Sequence, residues 1–320
     1  MPVETKFELK LGLATREAFG KALAELGREN PDIWALDADL SKSTNTAQFA
    51  KEFPDRFVSC GIAEANMVGV AAGLASCGKI PFAASFSCFV INKGFEQLRV
   101  AVAYPNVNVK IVGTHSGISI GEDGPSQMSI EETSLACSLP GFTVLAPADE
   151  VAARALIRAA AAHQGPVFVR TGRVKAPVIY AADQKFEIGK AIEVIAGNDV
   201  ALIANGVMVA ESIKAQAILA AEGVSARVID LHTAKPLDRE AIASAARTGA
   251  IVVSEEHLVD GGLGVRVAQV VAETQPCPME FVGVTGYAES GTPDGLLDKY
   301  GLRAVNVAAA ARKVLGRKKK

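Results

Sequence analysis

The stretch Phe57-Val58-Ser59-Cys60-Gly61-Ile62-Ala63-Glu64-Ala65-Asn66, followed by the charge-free run Met67 to Ser76 and then by Ile80-Pro81-Phe82-Ala83-Ala84-Ser85, reads as strand, glycine turn, helix, strand. A helix between two short apolar runs is the unit of a parallel sheet covered by helices. The same alternation extends outward. Strands are predicted at Ile33–Leu36, Phe57–Cys60, Ile80–Ser85, Val107–Val112, Phe142–Leu145 and Val167–Arg170. Ahead of them, Thr15 is placed to cap a helix whose Ala18, Phe19, Ala22, Leu23 and Leu26 follow helical spacing. A polar, proline-containing stretch from Lys175 to Lys185 then breaks the rhythm and reads as a linker. Beyond it come strands Val200–Ala204, Ala226–Asp230, Ala250–Ser254 and Phe281–Val284, with helices starting near Val207, Asp238, Gly264 and Pro293. The expected fold class is α/β: two doubly wound sheets, one domain over 1–185 and a smaller one over 186–320.

Bulk properties narrow the partners. A length of 320 residues suits about two domains. With 49% hydrophobic and 21% charged residues and a net charge of -2, the chain resembles an ordinary soluble protein and has no field for nucleic acid. No segment approaches a membrane-spanning length, and Met1-Pro2-Val3-Glu4-Thr5-Lys6 lacks the layout of a signal peptide, so no membrane is implied and a cytoplasmic location is expected. The basic end Gly316-Arg317-Lys318-Lys319-Lys320 reads as a solvated, frayed tail. Cys60, Cys77, Cys88, Cys137 and Cys277 lack metal-site spacing and read as reduced, mostly buried residues.

Ligands of such sheets sit beyond the carboxyl ends of the strands. That directs attention to Gly61–Asn66, Phe86–Asn92, Thr114–Gln127 and Thr171–Arg173. There is no Walker loop, and Gly261-Gly262-Leu263-Gly264 reads as a glycine turn opening a helix rather than a dinucleotide fingerprint. Glu64 falls in the first turn of its helix, where interaction with the helix dipole would explain it. However, the helix that follows is uncharged and rich in Gly and Ala, so it is expected to be buried on all sides. A carboxylate at its mouth would then be desolvated and able to share or donate a proton.

The block Val58 to Asn66 resembles the segment of transketolases that carries the catalytic glutamate of thiamine-diphosphate enzymes. The resemblance covers nearly the whole chain. It implies a pyrimidine-binding domain over 1–185, in the turn after whose first strand Asp39 and Leu40 would border the cofactor, and a transketolase C-terminal domain over 186–320. It implies that Glu64 hydrogen-bonds a ring nitrogen of the aminopyrimidine, with Phe89 of Ser85-Phe86-Ser87-Cys88-Phe89 as the stacking platform and Phe86 as a pocket wall. On spacing alone, those two aromatics fit plain core packing equally well. Where the family places a further aromatic, this chain has Asn92. Gly113-Thr114-His115-Ser116-Gly117 and Gly121-Glu122-Asp123-Gly124-Pro125-Ser126-Gln127 resemble the loop that binds a sugar phosphate, which puts a phosphate contact on His115 and a hydroxyl contact on Asp123. Arg16, Ser43 and Arg173 match three further phosphate ligands, and guanidiniums suit phosphate through paired donors that stay charged. Gln127 stands where ordinary transketolases place a second histidine on the sugar, which removes a titratable contact.

Nothing in this sequence matches the Gly-Asp-Gly…Asn motif through which the family binds the diphosphate and its divalent metal. The resemblance therefore implies a split enzyme, in which an N-terminal transketolase subunit carrying that motif holds Mg2+ or Ca2+ and completes an α2β2 assembly acting on sugar phosphates. The second domain would serve assembly, and His257 of Ser254-Glu255-Glu256-His257 is matched by a structural role or by one facing the site. Competing readings are the beta subunit of a 2-oxo-acid dehydrogenase, a deoxyxylulose-phosphate synthase fragment, and a scaffold that has kept the fold and lost the chemistry.

Overall fold

The computed structural model describes residues 9–318, so Met1–Lys6, Lys319 and Lys320 lie outside the described residues. Its first domain runs β1 (Leu11–Ala14), α1 (Thr15–Glu29), β2 (Ile33–Asp37), α2 (Ser41–Thr44), α3 (Ala47–Glu52), β3 (Phe57–Ser59), α4 (Glu64–Ser76), β4 (Ile80–Phe86), α5 (Ser87–Gln97), β5 (Lys110–Thr114), α6 (Glu132–Ser138), β6 (Thr143–Leu145), α7 (Glu150–Ala162), β7 (Val167–Arg170) and β8 (Lys175–Pro177). The second runs β9 (Ile192–Ile195), β10 (Val200–Ala204), α8 (Met208–Ala221), β11 (Ala226–Asp230), β12 (Thr233–Lys235), α9 (Arg239–Ala246), β13 (Ile251–Leu258), α10 (Leu263–Thr274), β14 (Met279–Val284), α11 (Pro293–Lys299) and α12 (Ala304–Gly316).

The first sheet has the order β12-β6-β7-β5-β4-β2-β3 and the second β14-β13-β10-β11-β9. All pairings from β6 to β3 are parallel, as are those joining β14, β13, β10 and β11. The inner strands β4, β5 and β7 are buried along almost their whole length, as expected for strands covered on both faces. Two edges differ from the sequence reading. β9 adds a fifth, antiparallel strand to the second sheet, where four were expected. β12, although it follows β11 in the second domain, leaves that sheet and pairs antiparallel with β6, Thr233 opposite Leu145. The linker is also more ordered than predicted: its first residues form β8, which pairs antiparallel with β1.

Local chemistry accounts for most element starts. Asp149 caps α7 by accepting from the Ala152 amide at 2.8 Å, and Asp238 caps α9 by accepting from the Ala241 amide at 2.9 Å. Thr292 caps α11, with Pro293 in its first turn. The cap expected of Thr15 is not there: Ala14 is the capping position, its amide donates to Glu17, and the Thr15 hydroxyl accepts from the Gly172 amide at 2.8 Å. As expected, Gly261, at φ +91°, makes the turn that opens α10.

Three other expectations are corrected. α4 is buried on one face only, through Glu64, Met67, Val68, Ala71 and Ala72, while Asn66, Gly69, Gly73 and Ser76 are exposed along the opposite side. Only Cys88 and Cys137 are buried, and Cys77 is exposed. The basic end is held rather than frayed as far as Lys318: Arg317 pairs with Glu280, and Lys318 donates to the Asp199 carbonyl.

Candidate active site

The carboxyl ends of β2, β4, β5 and β7 form one rim, because Phe86 lies opposite Thr114 and Gly113 opposite Arg170 in register. At the β2 end, the fully buried Asp37 organises the loop that follows. Its carboxylate accepts from the hydroxyls of Thr44 and Thr46 at 2.7 and 2.9 Å and from the Leu40 amide. Burial still pushes its pKa above the ordinary carboxylate value, against those hydrogen bonds. The loop so fixed holds Asp39 at φ +66°, a conformation that a non-glycine residue keeps only where its surroundings impose it. The Asp39 side chain is exposed, Leu40 is partly buried, and Ser43 lies in α2, which the loop leads into. Nothing in the sequence pattern marked Asp37 for this part.

Glu64 opens α4 and is only 3% exposed. Its partner is Lys93, whose Nζ lies 3.5 Å from the carboxylate and 4.4 Å from the centre of the Phe89 ring. Lys93 thus links the carboxylate to the aromatic expected to serve as a platform. It escaped the sequence reading, although its i, i+4 spacing from Phe89 on α5 was a usable signal. Phe86 stacks on Phe89, with ring centres 5.5 Å apart and planes within 13°. Its other partner is His115, at 3.9 Å. The aromatic pair therefore joins the Glu64 region to the histidine. Asn92 is exposed, and the buried Cys88, whose thiol burial pushes up to about 12, donates to the Gln127 carbonyl at 3.1 Å.

His115, at φ +59°, directly follows β5, and its Nδ1 is hydrogen-bonded with the Thr114 hydroxyl at 2.8 Å. Burial first, then the positive fields of Arg16 and Arg173, push its pKa down to about 3, so the ring is neutral at working pH. Arg16 is half-buried and held: its Nη1 donates to the carbonyl of Ser43, not to the hydroxyl, and its Nε reaches the Arg173 carbonyl at 3.5 Å. Desolvation, and the neighbouring Arg173, pull the Arg16 guanidinium below its ordinary pKa. Arg173 donates to the carbonyl of Ile120 and to Glu122 at 2.8 Å. The structure thus brings Arg16, Ser43, His115 and Arg173 together. Asp123 is exposed on the next loop, and the Gln127 amide oxygen accepts from Ser126 at 2.6 Å.

That loop is anchored from the second domain by charges the sequence did not reveal. Glu256 accepts from the Ser119 amide at 2.6 Å, and its backbone carbonyl accepts from Arg170 at 2.6 Å. Arg170 in turn meets Glu132 at 2.5 Å in a fully buried pair. Burial pushes both Glu255 and Glu256 upward in pKa. His257, buried against Glu132 and Glu255 at 3.9 and 3.8 Å, lies within this interdomain cluster.

A buried carboxylate beside stacked aromatic rings fits the pyrimidine end of thiamine diphosphate. Its other end finds no counterpart: no cluster of three or more His, Cys, Asp or Glu side chains able to hold a metal occurs among the described residues. Residues 12–178 match the transketolase pyrimidine-binding domain, and residues 189–307 the transketolase C-terminal domain. The chain belongs to the transketolase family. It is 41% identical to the 6-deoxy-6-sulfo-D-fructose transketolase subunit of Clostridium sp. over 98% of both chains. It is 38% identical to human transketolase over 98% of its own length, spanning 51% of that protein. A solved structure described as a split gene transketolase, an inactive beta4 tetramer, superposes with a TM-score of 0.91 at 48% identity, covering 96% of this chain and 100% of that one. The transketolase of Leishmania mexicana, 22% identical with a TM-score of 0.81, shares the fold. Members of the family use thiamine diphosphate, and this chain contains their pyrimidine-binding domain. No helix among the described residues is long and apolar enough to cross a membrane.

Proposed function

We propose that this chain is the second half of a split transketolase, moving a two-carbon ketol unit between sugar phosphates once a separate subunit supplies the diphosphate- and metal-binding half. The observation that carries this reading is the convergence of Arg16, Arg173 and neutral His115, joined through the Phe86–Phe89 stack to the buried Glu64. Thiamine diphosphate, when bound, supplies the nucleophilic carbon. Glu64 holds a proton against the pyrimidine ring nitrogen, and Phe89 gives the ring a flat face. Arg16 and Arg173 grip the phosphate, and His115 adds an uncharged donor or acceptor through Nε2. Asp123 and Gln127 face the sugar hydroxyls, and Asp39 and Leu40 border the cofactor.

The partner is an N-terminal transketolase subunit with the Gly-Asp-Gly motif, holding Mg2+ or Ca2+, in an α2β2 assembly. Two relatives support a separate partner: one is named a subunit, and the other is a split-gene transketolase described as an inactive beta4 tetramer. A guanidinium pair does not by itself separate phosphate from sulfonate, so the sulfosugar named for the Clostridium relative belongs in the test.

The experiment is reconstitution. The chain alone should show no ketol transfer, and addition of the partner subunit, thiamine diphosphate and magnesium should restore it. In the reconstituted enzyme, Arg173→Ala should raise KM for fructose 6-phosphate about 10- to 100-fold, the loss of one or two charge-assisted contacts, and barely affect hydroxypyruvate. Full activity by the isolated chain, or equal weakening of both substrates, overturns the reading. A lower KM for 6-deoxy-6-sulfofructose than for fructose 6-phosphate would reassign the anionic end to a sulfonate.

A further inference from the structure

Arg173, just beyond β7, is partly exposed, and its guanidinium is engaged by the loop that follows β5. One partner is the Ile120 carbonyl, which orients the planar head, and the other is the Glu122 carboxylate at 2.8 Å. Glu122 lies between Gly121 at φ +87° and Gly124 at φ +79°, directly before Asp123. Both glycines sit in the left-handed region, where other residues are strained. A Cβ at Gly121 would stand 2.9 Å from Pro293, and one at Gly124 2.4 Å from the Ser290 hydroxyl. The Glu122-Asp123 segment is thus a short turn between two glycines, closed by the Gly124 amide donating to the Gly121 carbonyl at 3.2 Å and resting against the second domain at each end.

A phosphate arriving at Arg173 meets a carboxylate already paired with that guanidinium. Two anions on one side of one head repel each other. We propose that Glu122 is an internal competitor for Arg173, so that an incoming phosphate displaces it and, through the shared backbone, repositions Asp123 towards the sugar. This rests on the phosphate reading of Arg173 given above. The pair is solvent-exposed, with side-chain exposures of 35% for Arg173 and 59% for Glu122, and exposed pairs hold weakly. A dianionic phosphate, accepting paired charge-assisted bonds, outcompetes such a carboxylate, while a neutral sugar does not. Glu122 is therefore a specificity residue: it raises the threshold for occupying Arg173 and favours ligands ending in a strong oxyanion.

The test is binding of ribose 5-phosphate and of inorganic phosphate to the full chain, followed through the arginine side-chain NMR signals at fixed ionic strength. Glu122→Gln, an isosteric change at an exposed site, should tighten phosphate binding about two- to fivefold, the range expected from an exposed ion pair. In the Arg173→Ala background the same change should have no effect. If Arg173→Ala weakens binding but Glu122→Gln does not tighten it, the competitor role is wrong and the phosphate site stands. Equal tightening by Glu122→Gln with and without Arg173 would reveal a general charge effect and also overturn the proposal. Binding that is absent, or indifferent to Arg173→Ala, would remove the phosphate reading itself.

Discussion

Glu64 combines two circumstances that seldom meet on one carboxylate: the amino end of a helix, whose dipole favours negative charge, and nearly complete burial. Its one charged partner among the described residues, Lys93, reaches it at 3.5 Å from a half-exposed position. An amide of the same shape gives up the attraction of the dipole and of the half-exposed Lys93, each about 1 kcal/mol or less, but also removes the cost of burying a charge, so Glu64→Gln should leave the melting temperature nearly unchanged. Turnover of the reconstituted enzyme should fall about 10²- to 10⁴-fold, as for a lost acid–base group. Near-normal turnover would place the proton chemistry on another side chain. The residues that were legible in the sequence share one property: Glu64, His115 and Arg173 each follow a strand end within a distinctive local pattern. Lys93, Glu122 and the Arg170–Glu132–Glu256 group were not legible, because a single charge reads as solvated until the fold shows which distant partner it meets. Arg170 shows the limit best, since it lies three residues from Arg173 and points instead into a buried ion pair.

At the scale of elements, β5 carries His115 at its end and is packed with little clearance. A Cβ on Gly113 would lie 2.2 Å from the Ser87 hydroxyl and 2.8 Å from the Phe168 ring. The Ser87 hydroxyl also bonds that of Ser116 at 2.5 Å, so any shift of it reaches the residue beside His115. Gly113→Ala should therefore cost about 1–3 kcal/mol, the usual range for overpacking, read as a lower denaturant midpoint with an unchanged m-value. An unchanged midpoint would show that α5 yields without penalty. This strand also shows why boundaries were harder to read than elements. The expected Val107–Val112 is observed as Lys110–Thr114, starting three residues later and running two residues further. Lys110, inside this strand, is buried, with its amine donating to Asn108, His163 and Gly165. Three acceptors match the three donors of the ammonium, although burial pulls its pKa down to about 7.

For the whole molecule, the exposed side of α4 is the corrected expectation with the widest reach. A fully buried helix was inferred from its lack of charge, and within one chain half of it faces outward. Nothing lies within 4 Å of a Cβ added at Gly69 or Gly73. Gly69→Leu should thus leave the isolated chain folded, and slightly favour its helix, while blocking close approach of a second surface. Light scattering should show the wild-type chain as an oligomer and the variant as a smaller species. An unchanged mass would move the self-association surface elsewhere. The α/β class and both sheets were legible because apolar periodicity is a property of each segment taken alone. The route of β12 was not, since pairing with β6 depends on a strand some 90 residues earlier in the chain.

That route bears on how such a chain can arise and be shared out among genes. Although the polar stretch around residue 180 looks like a seam, the sheet of the first domain is finished by Thr233–Lys235 from beyond it. A coding sequence cut at the seam would yield one product lacking its border strand and another carrying a strand with no neighbour. Exchange of the two domains as a single cassette is therefore the route that keeps the first sheet complete. A break ahead of β1 would leave that cassette whole.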